Sequence, residues 1–164
     1  MKNKLFLVLV IIFGVTCCKS KNKEIQPIGR FTGSLSMMIQ DKNGIDRLNP
    51  AFSIAFRTFK VYYLLDGKKV LYNKPQMDAP DGYIIERSDT DRYYLKIFVN
   101  GPKFDSKNKD NWITYLEYQD GITDTINASF DIKPGLITVE KAYYNQYWAW
   151  GAQNLPYNIF GTTK

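Results

Sequence analysis

Histidine is absent from this 164-residue chain, and its two cysteines are adjacent, at positions 17 and 18. Without an imidazole, His-based hydrolytic triads and the common zinc sites are excluded. Because both thiols sit together near the N-terminus, the rest of the chain has no internal disulfide and no cysteine nucleophile. Its stability must therefore come from packing. Long apolar runs are also scarce: the longest covers residues 5–15, well short of the roughly twenty residues that cross a bilayer. Basic residues outnumber acidic ones 22 to 16, but they form no stripe or face, so nucleic acid is a poor candidate partner. Paired carboxylates are the catalytic chemistry the composition still allows. Yet Asp66, Asp78, Asp81, Asp89, Asp91, Asp105, Asp110 and Asp120 fall in turn-like segments, where Asp is expected for local reasons. The chain is expected to be no enzyme and to need no cofactor.

The first twenty residues have the layout of an export signal. Lys2 and Lys4 precede the apolar run, which ends at Val15-Thr16-Cys17-Cys18. This segment resembles a bacterial lipobox, in which a cysteine at the cleavage point is acylated and becomes the first mature residue. Cys18 is the better candidate, with a branched apolar residue three before it and a small one directly before. Cys17 would be preceded by Gly14-Val15-Thr16, a poorer match. The expected organisation is a signal peptide over 1–17, a lipidated tether over 18–29 and one domain over 30–164. Losing Lys2 and Lys4 takes the net charge from +6 to +4. Lys19, Lys21 and Lys23, directly after the acylation site, are placed to lie against anionic headgroups.

Beyond the tether the hydrophobic pattern has period two. Leu35, Met37 and Ile39 alternate with polar neighbours, as do Phe59, Val61, Tyr63 and Leu65, then Tyr93, Leu95, Ile97 and Val99, then Ile126, Ala128 and Phe130. Such alternation marks strands with one face buried and one wet, the arrangement antiparallel sheets allow. Asp66-Gly67 and Asp120-Gly121 suit hairpin turns that need positive φ. Residues 75–82 and 101–111 read as longer loops. Seven to nine short strands and no helix predict an all-β, antiparallel β-sandwich with immunoglobulin-like topology, a small β-barrel being the alternative.

Three motifs carry candidate chemistry. In the segment 41–46 (DKNGID), Asp41, Asn43 and Asp46 are weak candidate metal ligands, with Asp120 or Asp124 as added oxygens. The EF-hand pattern fails, because Gly44 stands at loop position 4 and Phe52 at position 12. A turn held by Asx bonds is the simpler reading. The aromatic set Tyr143, Tyr144, Tyr147, Trp148 and Trp150, with Trp112 upstream, is the candidate contact surface for a glycan, a peptide or an envelope partner, since flat rings with a polar handle favour interfaces. Core or edge packing is the competing explanation. Asp124-Thr125-Ile126 marks Thr125 as a candidate O-glycosylation site; Asn127-Ala128-Ser129 fits the N-glycosylation pattern, which carries no meaning in the bacterial setting the lipobox points to.

Taken together, the lipobox, the stretch Asp41, Gly44, Asp46, Leu48, Pro50 and the later Asp120, Gly121, Asp124, Ile126 resemble the small lipoproteins of Bacteroidota. The resemblance covers most of residues 30–145. It implies a lipid-anchored β-sandwich at the outer membrane. It also implies the meaning of the short Asp-Thr-apolar signal at Thr125, which is similar to the O-glycosylation site of exported proteins in that group. Where members of that group carry an acidic run after the acylated cysteine, which accompanies surface export, this chain has Lys19, Lys21 and Lys23. That difference favours a periplasm-facing position. The expected role is a non-catalytic accessory or interaction module, with ligand binding through the C-terminal aromatics as the alternative.

Overall fold

A computed structural model describes residues 29–103, 106–151 and 159–163. Residues 1–17, Cys18 and the tether to residue 28 lie outside them, as do the side chains of Trp148 and Trp150. Among the described residues there is no helix, and eleven strands run in chain order: β1 (Arg30–Thr32), β2 (Ser34–Gln40), β3 (Phe59–Leu65), β4 (Lys68–Leu71), β5 (Tyr83–Arg87), β6 (Tyr93–Phe98), β7 (Trp112–Tyr118), β8 (Thr123–Lys133), β9 (Leu136–Tyr144), β10 (Tyr147–Gly151) and β11 (Ile159–Thr163). They form two sheets. The larger has the order β1-β9-β8-β7-β3-β4 with β10 also on β9; the smaller has the order β11-β2-β6-β5.

The alternation read from the sequence is what packs the two sheets together. Leu35, Met37 and Ile39 of β2 and Leu95 and Ile97 of β6 turn inward against Phe59 and Val61 of β3, Leu116 of β7 and Ile126, Ala128 and Phe130 of β8. Each fully buried side chain of this size contributes roughly 1.5–3 kcal/mol. Side-chain bonds tie the sheets across the core: the Tyr63 hydroxyl donates to the Phe98 carbonyl at 2.9 Å, and Asn100 Nδ2 donates to the Leu64 carbonyl at 3.1 Å.

The turns follow their chemistry. Asp66 and Gly67 both take positive φ, the two-residue turn that matches strand twist. After β7 four residues, 119–122, precede β8, with Gly121 alone at positive φ and the Tyr118 amide bonded to the Ile122 carbonyl at 2.8 Å. In β9, Glu140 and Lys141 are exposed in succession, breaking the period of two. The ladder with β8 shifts register there, which marks a β-bulge.

One expectation needs correcting. The ladder is not wholly antiparallel, because β1 joins β9 and β11 joins β2 in parallel. The immunoglobulin order is met in part. Strands β2-β6-β5 and β8-β7-β3-β4 follow the B-E-D and G-F-C-C′ orders of that Greek key. However, β9 and β10 continue the larger sheet past the G position, and two strands enter in parallel. The outer edge of β9 is shared, residues 136–138 taking β1 and residues 141–144 taking β10.

This topology gives the molecule two distinct ends. Arg30 begins β1 beside the β8–β9 turn, its amide bonded to the Gly135 carbonyl at 2.9 Å. The loop 41–58, the turn after Tyr118 and the β9–β10 turn lie at the other end. There Phe59 stands opposite Tyr118, and the Asn145 amide reaches the Thr125 carbonyl at 2.8 Å.

Candidate functional site

The β9–β10 hairpin turns on Asn145 and Gln146, both at positive φ, 47° and 73°. Neither is glycine, so the turn is held in a conformation that costs L-residues energy. What holds it is Asp124, a carboxylate 3% exposed on the inner face of β8. Asp124 accepts from Asn145 Nδ2 at 2.7 Å and from the Tyr144 hydroxyl. The Tyr118 hydroxyl lies 2.7 Å from that of Tyr144 and is left as its donor. Asn145 Oδ1 in turn accepts from the Thr125 amide at 2.8 Å. This chain of bonds clamps the hairpin onto β7 and β8.

The clamp continues into an aromatic plug. Tyr118 lies 5.1 Å from Phe56 and 5.6 Å from Phe59, and Phe59 meets Tyr83 edge-on at 5.3 Å, all between ring centroids. Burial pushes the Tyr118 phenol well above its ordinary range, reinforced by the neighbouring Tyr144 and Asp124. Tyr63 is shifted in the same direction by burial.

The structure separates the aromatic set that sequence reasoning grouped together. Tyr144 is 7% exposed and turned into the core, so it belongs to the clamp and is not a surface contact. Trp112 falls on the inner side of β7 with Thr114 and Leu116, packs against the core, and donates from Nε1 to the Asn108 carbonyl at 3.3 Å. Tyr143 lies on the opposite, outer face and is 37% exposed; Tyr147, opposite Tyr144 in register, is 80% exposed. Trp148 holds the register position opposite Tyr143, and Trp150 the position opposite Ala142.

The outer face of the larger sheet adds residues that the sequence reading missed. Tyr62 and Tyr115 are cross-strand partners, and the Lys69 amine sits 4.1 Å and 5.4 Å from their ring centroids. Lys69 also lies 3.7 Å from Glu117, which Lys60 binds at 2.9 Å. The Lys60 bond holds the Glu117 carboxyl below its usual range, and the same bond raises the Lys60 amine. Tyr115 stands opposite Thr125, which is half-buried, and Asn127 opposite Tyr143. The face therefore runs from Tyr62 to the hairpin. Its signal in the sequence was Tyr62 and Tyr115 at the wet positions of β3 and β7, where lysine or threonine would serve as well.

In the segment 41–46 the carboxylates are committed to backbone amides. Asp41 Oδ1 accepts from the amides of Asn43 at 2.8 Å and Ile45 at 2.9 Å; the Ile45 bond is the main reason the Asp41 carboxyl is held below its ordinary value. Asp46 accepts from the Leu48 amide at 2.8 Å and the Tyr93 amide at 3.2 Å. Among the described residues no three His, Cys, Asp or Glu side chains converge as a metal ion requires. Beside this loop a cleft of about 270 Å³ is lined by Arg47, Ile54, Phe56, Gln119 and Asp120. Its one guanidinium is stacked 4.3 Å from the Phe56 centroid and bonded to the Ile54 carbonyl at 2.8 Å. No protein-family model, no curated protein and no solved structure matches this chain.

Proposed function

We propose that this protein is a non-catalytic interaction module, tethered to the outer membrane through an acylated Cys18, that holds an envelope partner by the β9–β10 hairpin and the adjoining outer face of the larger sheet. The observation that carries the reading is the clamp. Asp124, Tyr144 and Tyr118 hold a glycine-free hairpin turn rigid beside two exposed rings, Tyr143 on the outer face and Tyr147, which pairs with Tyr144, on the other. A pre-ordered aromatic surface loses little conformational entropy on binding, which is how a small contact area gains affinity. The lipobox and the tether support placement at the membrane, with the lysines after Cys18 favouring the periplasmic side. The multiple acyl chains of a bacterial lipoprotein give stable anchoring where one chain gives only marginal binding, so local affinity for a partner can be modest.

The test is purification of the tagged, lipidated protein from its own cells in mild detergent, beside a Tyr143→Ser, Tyr147→Ser variant. A stoichiometric envelope protein lost with the variant, while the circular dichroism is unchanged, supports the module. A partner retained by the variant moves the contact elsewhere, and purification alone in several detergents refutes docking.

The second reading is direct capture of a glycan or peptide, favoured by the continuity of Tyr62 and Tyr115 with the hairpin across one flat face. Saturable tryptophan-fluorescence shifts on glycan titration support it. Thr125 lies on the same face, so a glycan attached there covers the surface either reading needs. Intact mass of the purified protein separates the glycosylated form from the open one.

A further inference from the structure

The end of the sandwich where the tether attaches has a charge character that the far end lacks. Arg30 starts β1 against the β8–β9 turn, where Lys133 is exposed. Phe31 of β1 stacks on Phe130 of β8 at 5.6 Å, and both rings lie within 3 Å of where a side chain on Gly101 would stand. The loop after Gly101 is thereby packed onto the strands that receive the tether, a placement sealed by the Phe130 amide bonding the Lys109 carbonyl at 2.8 Å. That loop presents Lys103, Lys107 and Lys109, all exposed. Asp131 is already paired with Lys133 at 2.6 Å, and Asp105 and Asp110 in the loop's sequence offset part of the charge.

At the far end three arginines are engaged with their own structure, and the exposed Lys42 and Arg92 each follow an Asp in sequence, Asp41 and Asp91. Arg47 binds the Ile54 carbonyl, Arg57 the Pro50 carbonyl and Arg87 the Asp91 carboxylate, at 2.8, 2.9 and 2.8 Å. Four lysines on flexible stems near the tether, against three folded-back arginines and cations interspersed with Asp41, Asp46, Asp89, Asp91 and Asp120 at the opposite pole, form a directional arrangement. Residues 19–29 number eleven, so the tether spans at most roughly 40 Å even when fully extended.

We propose that the pole formed by Arg30, Lys103, Lys107, Lys109 and Lys133 rests on an anionic phospholipid surface and so points the β9–β10 hairpin and the loop 41–58 away from the membrane. Compact ammonium charges on long stems reach the headgroups of such a surface without moving the backbone. The proposal takes the direction of attachment from the lipid-anchored reading, so its test is made on a chain without acyl groups.

Residues 18–164 with Cys18→Ser are floated with vesicles of phosphatidylcholine alone and of equal parts phosphatidylcholine and phosphatidylglycerol, at low salt and at about 0.5 M salt, where charge interactions are screened within a few ångströms. The expected result is flotation with the anionic vesicles only, lost at high salt. Reversal of Lys103, Lys107, Lys109 and Lys133 to Glu, with unchanged circular dichroism, is expected to weaken it by roughly tenfold or more. No flotation with anionic vesicles, equal flotation with both lipids, or a reversed variant that floats like the parent overturns the proposal; the last result assigns binding to Lys19, Lys21 and Lys23 alone. Should the reversed variant misfold, Lys107→Gln with Lys109→Gln at the exposed loop reads the same loss in smaller measure. Intact mass of the full chain from its own cells tests acylation separately. An unacylated Cys18 refutes the anchoring reading and leaves the flotation result standing.

Discussion

Replacing Asp124 with Ala removes the acceptor of two hydrogen bonds inside the protein, from the Tyr144 hydroxyl and from Asn145 Nδ2, the latter 2.7 Å long. Bonds to a charged acceptor contribute about 1.5–3 kcal/mol each, and a buried donor left without a partner costs about 1–3 kcal/mol. Against this stands the desolvation of a carboxylate only 3% exposed, which Ala relieves. With the turn also losing what holds Asn145 at positive φ, we expect Asp124→Ala to lower stability by about 3 kcal/mol, a large share of the 5–15 kcal/mol that folded domains possess. Urea unfolding followed by tryptophan fluorescence measures it. A double-mutant cycle with Asn145→Ala is the sharper assay. The clamp requires a coupling of about 1 kcal/mol or more between the two sites. Additive losses, or an Asp124→Ala loss below about 1 kcal/mol, would refute the argument, since the carboxylate's desolvation would then cancel what its bonds supply.

The strain at Gln146, φ 73°, is relieved by Gly. Gln146→Gly is therefore expected to raise stability by about 0.5–1 kcal/mol, read as a thermal midpoint a few degrees higher. Gly101→Ala places a methyl group 2.7 Å from Phe31 and 2.8 Å from Phe130. It should cost about 1–3 kcal/mol, with faster hydrogen exchange of the β1 amides. The buried phenols of Tyr63 and Tyr118 have folded pKa values raised above their ordinary 10.0, chiefly by burial. Their contribution is fully present below pH 10 and lost above it, because the unfolded chain releases protons that the native one keeps. The slope is about 1.4 kcal/mol per pH unit for each phenol. Spectrophotometric titration of the 12 tyrosines should show these two ionising only as the protein unfolds; smooth titration of all twelve with the fold intact would sink the assignment.

The two-sheet architecture was legible because burial on one face writes itself into the sequence as period two. The segments around Leu35, Val61, Leu95 and Ile126 became β2, β3, β6 and β8. Residues 30–32 and 159–163 escaped notice as strands because β1 and β11 are short edge strands, and the three residues of β1 are all exposed. Parallel attachment leaves no mark in local sequence. Nor does the pairing of Tyr63 with Phe98, which joins different sheets across 35 positions. The division of the aromatic set between core and surface was illegible for a related reason. Adjacent Tyr143 and Tyr144 look alike in sequence, yet strand geometry sends them to opposite faces, and the bulge at Glu140 and Lys141 decides which of them goes inward.

Asp124 shows how a residue can match a motif and serve another purpose. Read with Thr125 and Ile126 it belongs to a modification signal. In the fold its carboxylate points away from Thr125, into the core, and reaches Asn145 twenty-one positions later. A polar group buried without need is selected against by its desolvation cost, and a hairpin required only to close a sheet could use Asn-Gly in its turn, as Asp66-Gly67 does between β3 and β4. Here the chain keeps Asn-Gln, strained, and secures it with a buried acid and two tyrosines. Stability alone does not explain that choice, because glycine would do the same with less strain and no buried charge. On the proposed function, fixed orientation explains it: the bonds of Asn145 to both Asp124 and Thr125 set how Tyr143 leaves one face of the hairpin and Tyr147 the other. The Asp124→Ala experiment therefore bears on function as well as on stability. A variant that stays folded at low temperature but loses the proposed partner, with Tyr143 and Tyr147 still present, would show that the angle of presentation matters as well as the rings.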